Sequence, residues 1–229
     1  MAEAAVQRAS GRGRFITFEG GEGSGKSTQI RTLAERLAAT KLRAIVTREP
    51  GGSPGAEIIR HLLLSGMGKL LGPDAETLLF AAARDDHVHT VIEPALNQGI
   101  WVLCDRFSDS TRVYQGRLGQ VLPAVLNAME RVTIGDLKPD LTIILDIPVE
   151  IGMQRAAIRR GADAPDRFES EDVKFHQQLR TNLIPSKRDI IIKLWRRRGL
   201  IGRLVSGRLG GRGIRCRGGR ATASPVQHL

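Results

Sequence analysis

The sequence predicts an α/β domain in which a parallel sheet is covered by helices on both faces. Short β-rich runs alternate along the chain with longer segments of helical periodicity, and the runs are continuously apolar, as strands buried on both faces are. The four runs are Phe15–Glu19, Ala44–Thr47, Ile100–Cys104 and Leu141–Asp146. Such alternation favours right-handed crossovers and a three-layer α/β/α arrangement. Ligands bind these sheets at the carboxyl ends of the strands, so the residues after each strand are the first candidates for function.

Helices are expected between these strands and after the last one. The first carries an apolar stripe from Ile30 to Ala38, and Asp74 and Ser170 are candidate N-caps of two others. Further helices are expected over Ala56–Leu64, Asp74–Asn97, Pro123–Arg131, Val149–Arg160 and Glu171–Asn182. Arg188–Leu194 is a candidate edge strand.

The composition suits one well-packed domain. The chain has 229 residues, of which 41% are hydrophobic, and its two cysteines, Cys104 and Cys216, are too few for a disulfide scaffold. No apolar run reaches the ~18–20 residues that cross a bilayer. Residues 1–14 lack the apolar core of a secretory signal and are expected to be a flexible segment. We therefore expect a reduced, cytoplasmic protein without a membrane partner.

The basic charge of the chain belongs to its end. The net charge is +11, yet every acidic residue lies at or before Asp189, and residues 190–229 hold ten of the 35 lysines and arginines. Residues 1–189 are therefore almost neutral, with 25 basic against 24 acidic residues. The sequence predicts a functional domain over 15–189, which is not expected to bind nucleic acid, and a basic Arg/Gly-rich tail over 190–229.

Two interpretations of the tail remain open. An Arg/Gly-rich segment can follow the phosphates of RNA, although this one has no aromatic residue beyond Trp195 on which bases could stack. Alternatively, the tail is a disordered product of a shifted reading frame in a GC-rich gene. Resequencing the gene and translating the other frames downstream of about Arg180 distinguishes them, because the frameshift hypothesis requires an acid-containing amphipathic ending in another frame.

A glycine-rich loop follows the first predicted strand and precedes the first helix. It reads Gly20-Gly21-Glu22-Gly23-Ser24-Gly25-Lys26-Ser27 and fits G-x-x-x-x-G-K-[ST] in the required strand–loop–helix context. In this motif backbone N–H groups surround phosphate oxygens, the lysine contacts the β- and γ-phosphates, and the serine hydroxyl binds Mg²⁺. The sequence therefore predicts that a nucleoside triphosphate and Mg²⁺ bind at the loop and at the adjacent Thr28.

Two arginines and an aspartate follow the second and third strands. Arg48 comes after one, and Asp105 and Arg106 come after the other, so the three should converge opposite the glycine-rich loop. Two guanidinium groups suit a phosphate monoester, which each can bind through two hydrogen bonds. Asp105 is then expected to act with Mg²⁺ or its waters. A structural Arg–Asp pair that caps the strands is the alternative.

Four motifs resemble those of thymidylate kinases, and the resemblance extends from about Phe15 to Arg180. They are Phe15–Thr28, Thr47–Gly52, Leu78–Arg84, and Leu103–Phe107 with Ser110, Tyr114 and Gly116 at the family's spacing. The resemblance implies a P-loop kinase fold, a homodimer, and the reaction of ATP with dTMP to give ADP and dTDP. The C-terminal 40–45 residues do not match the family.

The resemblance also implies roles for single residues. Arg48 and Arg106 would hold the acceptor phosphate, Phe80 would stack on thymine, and Arg84 would bind its exocyclic oxygen. The remaining substrate-binding residues would be Glu22 near the 3′-hydroxyl, Thr111 near the base edge, Tyr114 over the sugar, Ser110 and Gln115. For Phe80 and Tyr114 the alternative is ordinary core packing.

The lid is expected to supply positive charge that the phosphate loop lacks. The loop carries Glu22 and no arginine, whereas Arg155, Arg159 and Arg160 lie on one predicted helix and resemble the basic lid of bacterial-type enzymes. A solvated basic helix face is the alternative. The predicted catalytic residues are therefore these three lid arginines together with Lys26, Asp105 and Arg106.

Another class of function also remains open. If the unusual C-terminus removes a strand and its burial, the product would be unstable or catalytically impaired, with RNA binding left to the tail. Phosphorylation of dUMP or of a nucleoside is less consistent with the paired Arg48 and Arg106. His87 and His89 lie two residues apart on a predicted helix and are not expected to bind metal, and Cys104 is expected in the core.

Overall fold

A computed structural model describes residues 11–162, 164–183 and 190–193. Five parallel strands form one sheet in the order β2–β3–β1–β4–β5. Their bounds are β1 Phe15–Gly20, β2 Ala44–Arg48, β3 Trp101–Asp105, β4 Leu141–Asp146 and β5 Ile190–Lys193. The glycine-rich loop follows the central strand β1, Arg48 ends β2, and Arg106 directly follows β3. The topology thus brings the three predicted site segments to one edge of the sheet.

Eight α-helices connect the strands in the described part of the chain. They are α1 Lys26–Ala39, α2 Pro54–Leu64, α3 Pro73–His87, α4 Glu93–Asn97, α5 Ser108–Thr111, α6 Pro123–Thr133, α7 Val149–Arg160 and α8 Val173–Leu183. A 3₁₀ turn covers Met67–Leu71, and π-helical turns cover Val88–Ile92 and Arg112–Leu118. The helix predicted over Asp74–Asn97 therefore exists as α3, a π turn and α4. Neither α5 nor the π turn after it was predicted.

Both predicted N-caps are wrong. Gly72 caps α3, with Pro73 at its first position, because proline needs no N–H there and its fixed φ suits the first turn. Asp74 lies inside that first turn. The second cap belongs to Asp172 instead of Ser170, since Asp172 Oδ1 accepts a hydrogen bond from the backbone N–H of Phe175 at 2.7 Å.

Apolar clusters on the two faces of the sheet make the three layers. On one face, Ile16 and Phe18 of β1 pack with Leu103 of β3 and with the buried stripe of α1 that was predicted from its periodicity. On the other face, Phe15 of β1 packs with residues of the π turn and α4, and Cys104 is fully buried there, as expected. The alternation of side chains along β1 thus confirms the predicted α/β/α class.

The two ends of the domain differ from expectation. Gly13 and Arg14, which we assigned to a flexible segment, are held by Leu96 and Asp140: Gly13 N–H donates to Leu96 O at 2.7 Å, and Arg14 Nη1 donates to Asp140 Oδ1 at 2.6 Å. Ile190–Lys193 pairs with β4, so the sheet extends four residues past the predicted boundary at 189. The apolar residues 190–192 thus belong to the sheet, although the acidic residues of the chain already end at Asp189. The rest of the tail, with Cys216 and both interpretations of its role, lies outside the described residues.

No helix among residues 11–162, 164–183 and 190–193 is long and apolar enough to cross a membrane.

Candidate active site

The glycine-rich loop spans residues 21–25, between the end of β1 and the start of α1. Gly23 has φ +61°, and a Cβ built on it would lie 2.0 Å from the carbonyl oxygen of Gly152 in α7. The loop therefore needs glycine at this position, where it packs against the first turn of α7. The side chain of Lys26 is buried, and its Nζ donates to the carbonyl oxygens of Gly20 and Gly21, both at 3.0 Å. Burial lowers the pKa of Lys26, and nearby Arg106 acts in the same direction.

One cleft of about 730 Å³ brings most of the predicted site together. It opens at the carboxyl ends of β1, β2 and β3, between the glycine-rich loop, α3 and the lid helix α7. Every residue predicted for catalysis or binding lines it except Gly20, Gly21 and Arg160. The two glycines still hold Lys26 through their carbonyl groups, whereas Arg160 does not line the cleft.

Ser27 and Asp105 meet at the floor of this cleft. Ser27 Oγ donates to Asp105 Oδ2 at 3.1 Å, and the buried Oδ1 of Asp105 has no hydrogen-bond partner. A hydroxyl and a carboxylate with an unpaired buried oxygen fit Mg²⁺, which takes few protein ligands and completes its shell with phosphate and water. No larger cluster of histidine, cysteine or acidic residues that could hold a metal occurs in the described part of the chain.

Arg106 occupies the centre of the cleft in a strained backbone conformation. Its φ is +71°, which is costly for a residue with a side chain and is typical of functional sites. Nη2 donates to Glu22 Oε1 at 2.5 Å, Nη1 donates to Gly20 O at 3.3 Å, and the guanidinium carbon lies 5.3 Å from the Tyr114 ring centre. Burial opposes ionisation of Glu22, yet Arg106, Lys26 and Arg159 together lower its pKa to about 2. The loop glutamate is thus ionised and surrounded by cations.

Arg48 and an unpredicted neighbour, Arg60, add positive charge to the outer part of the cleft. Arg48 is half exposed, and its Nη2 donates to Glu57 Oε1 at 2.9 Å. Arg60 of α2 lines the same cleft, and its Nη1 donates to Pro50 O at 2.6 Å. Burial and the charge of Arg48 lower the pKa of Arg60. The sequence does not indicate a role for Arg60, because its position on α2 fits an ordinary helix and only the fold brings it close to the end of β2.

Phe80 and Arg84 form the pocket predicted for the base. Both are buried on α3, one helical turn apart. Phe168 lies 6.3 Å from Phe80 and 5.2 Å from Tyr114 between ring centres, and the guanidinium carbon of Arg84 lies 5.2 Å from the Phe107 ring centre. Phe168 was assigned no role from the sequence; it follows the lid helix and joins it to the base pocket.

Two of the lid arginines, Arg159 and Arg160, are held by acidic partners. Arg159 Nη2 donates to Glu169 Oε1 at 2.8 Å and lies 3.8 Å from Glu22 Oε2, while Arg160 Nη1 donates to Glu169 Oε2 at 2.9 Å. Arg155 and Arg159 face the cleft, as their spacing of four residues on one helix face predicts. Arg160 contacts it only through Glu169.

Glu19, the last residue of the first predicted strand, is a buried carboxyl group beneath the loop. It is fully buried and accepts hydrogen bonds from Ser110 Oγ at 2.7 Å and from the Phe107 N–H at 2.9 Å. Burial raises the pKa of Glu19 to about 7, although the hydrogen bond from Ser110 opposes the shift. Glu19 thus joins β1 to the segment after β3, and no local pattern marks it because its partners lie about 90 residues away.

A Glu19→Gln variant should change how stability depends on pH. The pKa of Glu19 rises from 4.5 to about 7 on folding, so its protonation stabilises the fold fully below pH 4.5, and this contribution is lost as the pH rises through about 7. Relative to the glutamine variant, the wild type should lose about 3 kcal/mol of unfolding free energy across this range. Urea denaturation at several pH values measures it, and parallel profiles of the two proteins would contradict the prediction.

Comparison with known proteins agrees with these motifs. A family model of thymidylate kinases matches residues 18–192. The thymidylate kinase of Nitrobacter winogradskyi is 83% identical over 180 residues, which cover 79% of this chain and 78% of that protein. Those of Nitrobacter hamburgensis and Bradyrhizobium diazoefficiens are 84% and 79% identical, each over 79% of this chain and over 78% and 79% of their own lengths. The chain therefore belongs to the thymidylate kinase family.

Proposed function

We propose that this protein transfers the γ-phosphoryl group of ATP to dTMP and so produces ADP and dTDP. The single observation that carries the proposal is the shared cleft, in which the phosphate loop with Lys26 faces Arg48, Phe80 and Arg106. A nucleoside triphosphate and a nucleoside monophosphate would therefore bind in one cleft with their phosphates facing each other. Holding the two in this way converts a bimolecular reaction into an effectively unimolecular one.

On the donor side, the loop N–H groups and Lys26 would bind the phosphates of ATP. Ser27 and Asp105 would hold Mg²⁺, which when bound neutralises charge on those phosphates. The hydrogen bond between Ser27 and Asp105 supports this assignment because it already brings the two oxygens together.

On the acceptor side, Arg48 and Arg106 would bind the phosphate of dTMP, with Ser110 and Gln115 beside it. Phe80 would stack on the base and Arg84 would donate to a base carbonyl oxygen. Tyr114 would cover the sugar where a 2′-hydroxyl projects, and this favours deoxyribose. Glu22 would accept a hydrogen bond from the 3′-hydroxyl, and Thr111 would lie near the edge of the base. The ionised state of Glu22 supports its role as an acceptor.

Charge develops on the oxygens of the transferring phosphoryl group, and this protein would stabilise it with Lys26, Arg106 and the lid arginines. Closure of the lid would expel water, strengthen these charges and prevent hydrolysis of ATP. The acceptor phosphate is already a dianion, so no general base is needed. We also propose that the protein is a homodimer, as the family resemblance implies, and that it is cytoplasmic, as its composition suggests.

A coupled assay of ADP release tests the proposed function. We expect rapid ADP release with ATP, Mg²⁺ and dTMP, slower release with dUMP, and release close to the ATP-only background with dCMP. A rate with dTMP that equals the background without acceptor would contradict the proposal.

A further inference from the structure

A chain of buried hydrogen bonds lies behind the base pocket. Arg84 Nε donates to Glu49 Oε2 at 2.7 Å, and Arg84 Nη2 donates to Thr111 Oγ1 at 2.9 Å. The other carboxylate oxygen of Glu49 lies 3.2 Å from His87 Nδ1, and His87 Nε2 lies 2.7 Å from Thr47 Oγ1. His87 is fully buried and does not line the cleft, whereas Arg84 and Glu49 do.

The donor and the acceptor in each of these hydrogen bonds follow from the chemistry of the side chains. The Glu49 carboxylate can only accept hydrogen bonds. His87 therefore carries a hydrogen on Nδ1, and this N–H donates a hydrogen bond to Glu49. In the neutral ring, Nε2 then accepts from the hydroxyl of Thr47. Since Arg84 and His87 are three residues apart on α3, both reach the same carboxylate from one helix face.

The backbone of the β2–α2 loop is shaped around the histidine. Gly52 has φ +89°, and a Cβ built on it would lie 2.3 Å from Thr47 Oγ1 and 2.6 Å from His87 Nε2. Any side chain at this position would therefore displace the bond between Thr47 and His87. This gives a physical reason for the second glycine of the Thr47–Gly52 motif.

We infer that His87 is a positioning residue for base recognition, which acts by holding Glu49 and thereby aiming the guanidinium of Arg84 at the base. Each carboxylate oxygen of Glu49 has one partner in this chain of hydrogen bonds: Oε2 has Arg84 and Oε1 has His87. Without His87 the carboxylate can therefore rotate, and Arg84 moves with it. The inference rests on the proposed function, because it assumes that the ligand above Arg84 is the base of dTMP.

An aimed arginine discriminates between pyrimidines. All N–H groups of a guanidinium are donors, so Arg84 pairs with the 4-carbonyl oxygen of thymine and not with the 4-amino group of cytosine. A site that fixes such a donor rejects the wrong base because the buried donor is left without a partner. If Arg84 moves freely, it avoids that cost, and discrimination against dCMP weakens.

The test compares His87→Phe, which removes both hydrogen bonds, with His87→Asn, whose side-chain amide keeps a donor close to the Nδ1 position. Calorimetric titration without ATP should show the Kd of dTMP rising about 10-fold in His87→Phe, with most of the affinity restored in His87→Asn. The KM for dTMP should rise in parallel, kcat at saturating dTMP should stay within about 2-fold, and the preference for dTMP over dCMP should fall. His89→Phe, two residues along on the surface of the same helical segment, is the matched control.

Thermal melting followed by circular dichroism reports whether each variant folds. If His87→Phe does not fold, Thr47→Val carries the test, since it removes only the hydroxyl that holds the ring; the expected rise in the Kd of dTMP is about 3-fold. A folded His87→Phe, or in its place Thr47→Val, with wild-type dTMP affinity and wild-type preference over dCMP would overturn the inference. A wild-type protein that binds no dTMP would instead refute the proposed function, and the inference with it.

Discussion

Replacement of Lys26 by alanine is expected to lower kcat by roughly 10³-fold. The ammonium group is buried and lies among the carbonyl oxygens of Gly20 and Gly21, at the cleft face of the phosphate loop. There its charge acts in a medium that screens it poorly, at the point where charge develops on the transferred group. Steady-state ADP release at saturating ATP and dTMP measures the loss.

The control for Lys26→Ala is Arg36→Ala, which removes an exposed cation from the same helix. Its kcat should equal that of the wild type. The Kd of dTMP should change little in either variant, because Lys26 is assigned to the donor nucleotide. A folded Lys26→Ala protein that retains more than about a tenth of wild-type kcat would contradict the role of the loop.

Replacement of Arg159 by alanine is expected to lower kcat by about 10³-fold while the Kd of dTMP stays within about 2-fold of wild type. The guanidinium group lies between Glu22 of the phosphate loop and Glu169 of the lid, at the cleft face of α7. It is therefore close enough to reach the phosphates once ATP binds. An arginine that contacts only the transition state changes kcat and leaves ground-state affinity intact.

Arg160 and Arg131 separate this role from a general loss of positive charge. Arg160 contacts the cleft only through Glu169, so Arg160→Ala should also lower kcat but by less, about 10-fold. Arg131 is exposed on α6, and its alanine variant should be unchanged. Wild-type kcat in both Arg159→Ala and Arg160→Ala would show that the lid assignment is wrong.

Those parts of the site that lie in continuous motifs could be predicted from the sequence. The loop from Gly20 to Ser27 and the pair Asp105–Arg106 could be identified because each directly follows a predicted strand. The neighbouring sequence therefore indicates where they lie in the fold. The first four strands were predictable within one residue at each end, because an apolar run that is buried on both faces needs no partner to be identified.

Residues whose importance depends on a distant partner could not be predicted. His87 reads as one more polar residue on a helix, and only the fold brings it to Glu49, 38 positions earlier. Glu19 reads as a strand end until the segment after β3 covers it.

The N-caps failed for different reasons. Ser170, Glu171 and Asp172 all precede α8, and the choice among them depends on a backbone turn that composition does not specify. In α3 the helix begins at Pro73, so the residue before it is a glycine without a capping side chain.

The most direct test of the central claim is the affinity of a single molecule in which adenosine and thymidine are joined end to end by a polyphosphate chain. If one cleft holds both nucleotides, this molecule should bind with one per protein chain and a Kd at least about 10²-fold below that of dTMP, because the second half binds at a high effective concentration. The Lys26→Ala variant should lose most of that gain. A Kd equal to that of dTMP, or binding of two molecules per chain, would contradict a shared cleft.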